Sequence, residues 1–239
     1  MLHVFPDLAS LSRAAAEALV NIAARAVAER GRFTIALSGG ETPRTLYRLL
    51  ATDCREQVPW PHVHVFWGDE RFVAPDDPRS DYRTARDTLL DHVPIPSESV
   101  HPIPTLMPSP EAAADAYEET LVAYFGSPWP RFDLMLLGLG AEGHTASLFP
   151  HSPALDEEAR WVVAATVPAD PPQRITLTLP AVNHAAHVYF LVSGAEKAAA
   201  LRAALTDPPD VHACPASGVK LVNGELVWWA DQPATGRLI

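Results

Sequence analysis

A histidine closing a glycine-rich turn is the feature of this 239-residue chain best suited to chemistry. It lies in Gly138-Leu139-Gly140-Ala141-Glu142-Gly143-His144-Thr145-Ala146-Ser147. His144 is the side-chain type whose ordinary pKa lies near neutrality, and such a group can take a proton from water and return it to a leaving oxygen. Three other stretches carry groups suited to an anion. Ser38-Gly39-Gly40-Glu41-Thr42-Pro43 is a glycine turn entering a helix, where unpaired N–H groups and the positive dipole end favour phosphate; the alternative is a tight turn needing glycine for its own shape. Gly68-Asp69-Glu70-Arg71 sets two carboxylates beside a guanidinium that can fork onto a phosphate, or merely pair with Asp69 or Glu70 at the surface. Ser193-Gly194-Ala195-Glu196-Lys197 puts a cation in the first turn of an Ala-rich helix, against the macrodipole, which a bound anion would explain.

Each of these turns follows an apolar run. Phe33–Leu37, His62–Trp67, Leu134–Leu137 and His187–Val192 read as strands, Leu134–Leu137 as one buried on both faces. Between them the pattern is helical. Asp7 caps a helix with Leu8, Leu11, Ala15, Leu19, Ile22 and Ala26 on one face, closed by Gly31. Thr42 suits the N-cap of the next, with Pro43 at its first position; Ser80 opens one to Asp91, and Ser109-Pro110 opens another closed by Gly126. Trp161–Val167 and Arg174–Leu179 add strands, the second alternating Ile175, Leu177 and Leu179 inward with Thr176 and Thr178 outward. A last strand lies near Leu226–Trp229. Alternating strands and helices bring the four turns to one edge of a parallel sheet, forming one anion crevice with a histidine in it.

The whole chain narrows the ligand. Its length suits a single domain over residues 1–239, and a net charge of -11 argues against nucleic acid and anionic membranes as partners. Two cysteines outside any metal spacing, and no apolar run near the ~20 residues that span a bilayer, lead to the expectation of a soluble cytoplasmic protein. The spacing Gly138-x-Gly140-x-x-Gly143 matches a dinucleotide fingerprint, but Pro150 and Pro153 stop the long helix that this fingerprint needs. His62 and His64, and His184 and His187, lack a third ligand by spacing, so no metal is expected.

Taken in order, Ser38-Gly39-Gly40-x-Thr42-Pro43, Asp69-Glu70-Arg71, Gly138-x-Gly140-x-x-Gly143-His144-Thr145-x-Ser147-Leu148-Phe149-Pro150, Arg174-Ile175-Thr176-Leu177-Thr178 and Gly194-x-x-Lys197 resemble the glucosamine-6-phosphate isomerase/6-phosphogluconolactonase family, on its lactonase side. The resemblance runs from about residue 33 to the tail. It implies an α/β fold, an open, mostly parallel sheet with helices on both faces and Rossmann-like topology, and hydrolysis of 6-phospho-D-glucono-1,5-lactone in the oxidative pentose phosphate pathway. It implies no metal, no organic cofactor and no obligate protein partner, only a small sugar-phosphate lactone. His144 is then the general base, and Glu142, one methylene longer than the family's usual Asp, is the second catalytic residue beside it. Ser38, Gly39, Gly40, Thr42, Asp69, Arg71 and Lys197 bind substrate, chiefly its phosphate. Asp81, where the family usually has Asn, receives no binding role.

Two rival functions bear on the same residues. Isomerases and deaminases of amino-sugar phosphates move a proton between carbons, using a carboxylate shortly before the proline; here those positions are Leu148-Phe149-Pro150. A non-catalytic sugar-phosphate sensor would be expected to carry an added DNA-binding or partner domain, for which this length and charge leave no room.

Overall fold

The computed structural model describes residues 1–126 and 128–236. In chain order it contains β1 (Leu2–Phe5), α1 (Leu8–Arg30), β2 (Phe33–Leu37), α2 (Glu41–Ala51), β3 (Val63–Trp67), β4 (Asp69–Arg71) and α3 (Asp81–Thr88). Then come α4 (Pro110–Phe125), β5 (Leu134–Gly138), β6 (Val162–Thr166), β7 (Gln173–Leu177), α5 (Leu179–Asn183), β8 (His187–Val192), α6 (Ala198–Ala204), β9 (Glu225–Asp231) and α7 (Gln232–Thr235). Six strands form a parallel sheet in the order β1-β9-β8-β5-β2-β3. The other three, β4-β7-β6, form a separate antiparallel sheet.

The parallel order explains where a ligand can bind. From β2 the chain moves outward to β3; from β5 it moves the other way, through β8 to β9. The winding direction therefore reverses between the neighbours β2 and β5, and the crevice beyond their carboxyl ends is the usual ligand position in such sheets. Leu134 to Leu137 of β5 are 0–1% exposed, so both faces of this central strand are covered. The Asp7 side chain accepts from Ser10 N at 2.8 Å, and Gly31, at φ +74°, ends α1.

Local differences from the sequence reading have physical causes. Gly40, not Thr42, is the N-cap of α2: only glycine adopts its φ of +92° without strain, and Thr42 and Pro43 become the second and third helical residues. Proline is tolerated there because first-turn N–H groups have no intrahelical acceptor. Thr176 and Thr178 point away from Ile175 and Leu177 but are both 0% exposed, because their hydroxyls find partners indoors. Thr178 donates to Arg160 O at 2.7 Å, and Thr176 donates to Leu177 O at 3.0 Å while accepting from Ser147 N at 3.2 Å. The strand ending at Trp67 continues past Gly68 as β4, which turns into the second sheet. Gly68 N donates to Leu37 O at 3.0 Å and Gly68 O accepts from Leu177 N at 2.9 Å, so one glycine links the two sheets.

Candidate active site

A cleft of about 760 Å³ opens beyond the carboxyl ends of β2, β5 and β8, with the second sheet forming another wall. Ser38, Gly39, Gly40 and Thr42 line it from the turn into α2. Asp69 and Arg71 reach it from β4, His144 from the turn after β5, and Lys197 from the turn after β8. Glu142 stands behind His144 rather than in the cleft wall.

The histidine is held on two sides. Its Nδ1 lies 2.8 Å from Glu142 Oε1, and its ring stacks on Phe149 with centroids 4.1 Å apart and planes 11° from parallel. A carboxylate acceptor keeps the proton on Nδ1, leaving the Nε2 lone pair for the cleft. Burial pushes the Glu142 carboxyl up, but its own backbone N–H, the His144 ring and the Lys197 charge outweigh this and hold it below the ordinary glutamate value.

The glycines serve this packing. A Cβ on Gly140 would lie 2.0 Å from His144 Nδ1 and 2.7 Å from Glu142 Oε2, so the ring and its carboxylate occupy the space a side chain would take. Backbone bonds from Gly140 N to His144 O, 2.8 Å, and from Gly143 N to Gly140 O, 3.0 Å, close the turn. Beyond it, Ala146 takes φ +47°, a left-handed conformation costing about 1 kcal/mol for a residue with a Cβ. Anchors on both sides hold it: Thr145 Oγ1 donates to Gly138 O at 3.0 Å, and Ser147 Oγ donates to Asp69 Oδ2 at 2.7 Å. Asp69 thus ties the histidine turn to the second sheet.

The anion side is built from backbone and arginine. Gly39 and Gly40 N–H groups have no protein acceptor among the described residues, and they sit at the start of α2. The carbonyl of Ser38 accepts from the Tyr47 hydroxyl at 2.6 Å, and Ser38 N donates to the Tyr47 hydroxyl oxygen at 3.1 Å, so a buried tyrosine of α2 fixes the turn. Across the β4–β7 ladder Arg71 faces Arg174, and both line the cleft. Directly opposed like charges are unfavourable unless anions offset them. Burial and the neighbouring Arg71 charge both push Arg174 below the ordinary arginine value, against the pull of Asp69, Asp81 and Glu70.

The Arg71 guanidinium does not pair with Asp69 or Glu70, although the Arg71 backbone N–H donates to Glu70 Oε1 at 2.7 Å. Its Nη1 lies 2.8 Å from Asp81 Oδ1 and donates to Arg79 O at 2.6 Å. Glu70 turns the other way and accepts from Asp81 N at 2.8 Å, Tyr82 N at 2.7 Å and Ser80 Oγ at 3.0 Å, capping α3. Lys197 ends a 3-10 turn and is the N-cap of the seven-residue α6, so it stands just before the helix rather than inside its first turn. Among the described residues no carboxylate lies within ion-pair distance of it. Asp231 steadies that turn, accepting from Ser193 Oγ at 2.5 Å and Gly194 N at 3.1 Å.

Sequence reasoning left Arg174 and Asp81 outside the site. Arg174 shares the polar face of β7 with Thr176, and that alternation was the available signal; Thr178, beyond the strand, is the N-cap of α5. Asp81 stood out only as a departure from the family's usual Asn, and nothing in the order of residues says that the start of α3 folds against Gly39.

The family described as glucosamine-6-phosphate isomerases/6-phosphogluconolactonase matches residues 6–228. The chain belongs to this family. A 6-phosphogluconolactonase of Synechocystis sp. is 47% identical over 217 residues, 90% of this chain and 88% of the relative. The 6-phosphogluconolactonase of Mycobacterium tuberculosis is 44% identical over 246 aligned positions, 99% of this chain and 98% of the relative. Among solved structures, 6-phosphogluconolactonase from Trypanosoma cruzi superimposes with a TM-score of 0.86 at 30% identity, over 99% of this chain and 96% of the other. The superposition takes in the whole parallel sheet, including the reversal between β2 and β5. No helix among the described residues is long and apolar enough to cross a membrane.

Proposed function

We propose that this cleft hydrolyses 6-phospho-D-glucono-1,5-lactone to 6-phosphogluconate, as a hydrolase acting on a carboxylic ester, with His144 as general base. The observation that carries the role of His144 is its setting: Nδ1 committed to Glu142 at 2.8 Å, the ring stacked on Phe149, and the remaining nitrogen available to the cleft. Nε2 takes a proton from water as the water oxygen bonds to the lactone carbonyl carbon. The tetrahedral intermediate then collapses, its bond to the ring oxygen breaks, and His144 returns the proton to that oxygen. Glu142 stabilises the imidazolium between the two steps.

The phosphate is remote from the carbonyl, so it serves as a handle. Arg71, Lys197 and the free N–H groups of Gly39 and Gly40 hold it, with Ser38 and Thr42 completing the turn, and that grip orients the carbonyl towards His144. Asp69 aligns the histidine turn through Ser147 and faces the sugar. A cytoplasmic setting belongs to this proposal, supported by two buried free thiols, Cys54 and Cys214. The amino-sugar alternative lacks its proton-abstracting carboxylate, since Leu148 is buried and Phe149 lies against the imidazole.

The test is disappearance of freshly made 6-phosphogluconolactone above its spontaneous hydrolysis. His144→Ala should lower turnover by roughly two to four orders of magnitude. An unchanged kcat would remove the histidine from the chemistry, and release of ammonia from glucosamine 6-phosphate would replace the proposed reaction.

A further inference from the structure

Asp81 is an acid buried inside an anion site. It is 3% exposed, lines the cleft, and lies so close to the phosphate turn that a Cβ on Gly39 would sit 1.8 Å from its Oδ1. That oxygen forms an ion pair with Arg71 Nη1 at 2.8 Å but has no aligned hydrogen-bond donor, while Nη1 also donates to the Arg79 carbonyl at 2.6 Å. Arg71 Nε is buried and also without an acceptor. The guanidinium is therefore drawn towards Asp81 with donors unused, and a dianionic phosphate gripped by Arg71 and Gly39 would meet the Asp81 carboxylate at close range.

We propose that Asp81 is a proton-operated latch on Arg71: as a carboxylate it retains the guanidinium and repels phosphate, and as a neutral acid it yields Arg71 to the ligand. Binding a phosphorylated ligand then draws one proton from solution. This rests on the reading of Arg71 as a phosphate contact. The groups facing Asp81 favour its protonation. Glu70 and Asp69 of β4 are carboxylates, and Tyr47 of α2 is neutral; among the described residues Arg71 of β4 and Arg174 of β7 oppose them. Burial first, and the Glu70 charge next, push the Asp81 carboxyl well above the ordinary aspartate value against the pull of Arg71.

The experiment is equilibrium binding of 6-phosphogluconate, the stable product, between about pH 7 and 9, where a phosphate monoester with second pKa ≈ 6 is fully dianionic. Where Asp81 is ionised in the free protein, wild-type affinity should fall as pH rises, by up to tenfold per pH unit, while D81N should be flat across the range, and gluconate, which lacks the phosphate, should show no such slope. Calorimetry of the wild type in two buffers of different ionisation enthalpy should register proton uptake on binding, rising towards one proton per ligand where the affinity slope is steepest, a readout independent of whether the variant folds. A pH-independent wild-type affinity, no proton uptake, or a D81N slope equal to the wild type's each overturns the latch. R71A separates the two levels. If it binds 6-phosphogluconate as well as the wild type, the phosphate reading itself is wrong; if it binds weakly while D81N keeps the slope, only the latch fails.

Discussion

Gly140→Ala tests whether the position of His144 sets the rate. The change adds one methyl group at a residue whose φ is not left-handed, so it brings no backbone strain of its own. The new Cβ would sit 2.0 Å from His144 Nδ1, whereas ordinary contact begins at 3.4 Å, so ring and methyl must separate by the difference, about 1.4 Å. The same Cβ would lie 2.7 Å from Glu142 Oε2, so the carboxylate cannot simply follow the ring. Either the 2.8 Å bond between them breaks or the imidazole leaves its stack on Phe149. A displacement of about 1 Å in a catalytic group costs roughly 10²-fold, so kcat should fall about 10²- to 10³-fold, or ~3–4 kcal/mol of transition-state stabilisation. Folding should suffer less. The His144 side chain is 30% exposed and can swing outward, and the added methyl restricts the unfolded chain. The assay is lactone hydrolysis above the spontaneous rate, read beside a thermal melt. Gly68→Ala is the control, since its Cβ would find only ordinary contacts at 3.7 and 3.9 Å. If G140A turned over within twofold of the wild type, the geometry of His144 and Glu142 would not be what limits catalysis.

Further expectations follow from other contacts. Lys197→Ala should raise KM for the phosphorylated lactone about 10- to 100-fold, the loss of a charged hydrogen bond, and should erode discrimination against unphosphorylated gluconolactone; steady-state kinetics on both lactones decide this. Tyr47→Phe strips the partner from both Ser38 N and Ser38 O, at about 1–3 kcal/mol, and should lower the thermal midpoint by about 2–4 °C per kcal/mol in a chain of this size. Glu142 has a folded-state pKa below its ordinary 4.5, so its stabilising contribution is present above that value and is lost as pH falls through the depressed one. The difference in melting temperature between wild type and Glu142→Ala should therefore shrink as pH is lowered through the acid range below 4.5, and a constant difference would remove the ionised pair as its cause.

Much of the frame was legible because buried strands and capped helices are written locally. Phe33–Leu37 and His187–Val192 are strands over the residues that the apolar runs mark, and α1 is bounded by the Asp7 side chain at its start and by the left-handed Gly31, which has no Cβ, at its end. Two strands left no such trace. In β1 every residue is only half-buried, at the edge of the sheet, and β4 is Asp-Glu-Arg, whose polar side chains serve the cleft and α3 instead of a core. β1, at four residues, is too short for its apolar alternation to stand out, and β4 has no apolar residue at all. The N-cap of α2 was displaced for a related reason: a threonine before a proline is the usual signal, but the positive φ that turns the chain away from β2 can be met only by Gly40.

The site divides along the same line. His144, Lys197 and the glycine turns lie at strand ends, and strand ends share an edge once the sheet is parallel, so their meeting follows from alternation alone. Arg174 and Asp81 reach the cleft through contacts between distant segments: an antiparallel ladder that sets Arg174 against Arg71, and a helix start pressed on Gly39. These are also the residues whose charges are least balanced by solvent, since both are buried. An arginine pair and a carboxylate enclosed together must settle their charge among themselves, with a proton, or with a bound anion. On the proposed latch, the part of the site hidden from sequence is the part where phosphate binding and proton binding become one equilibrium.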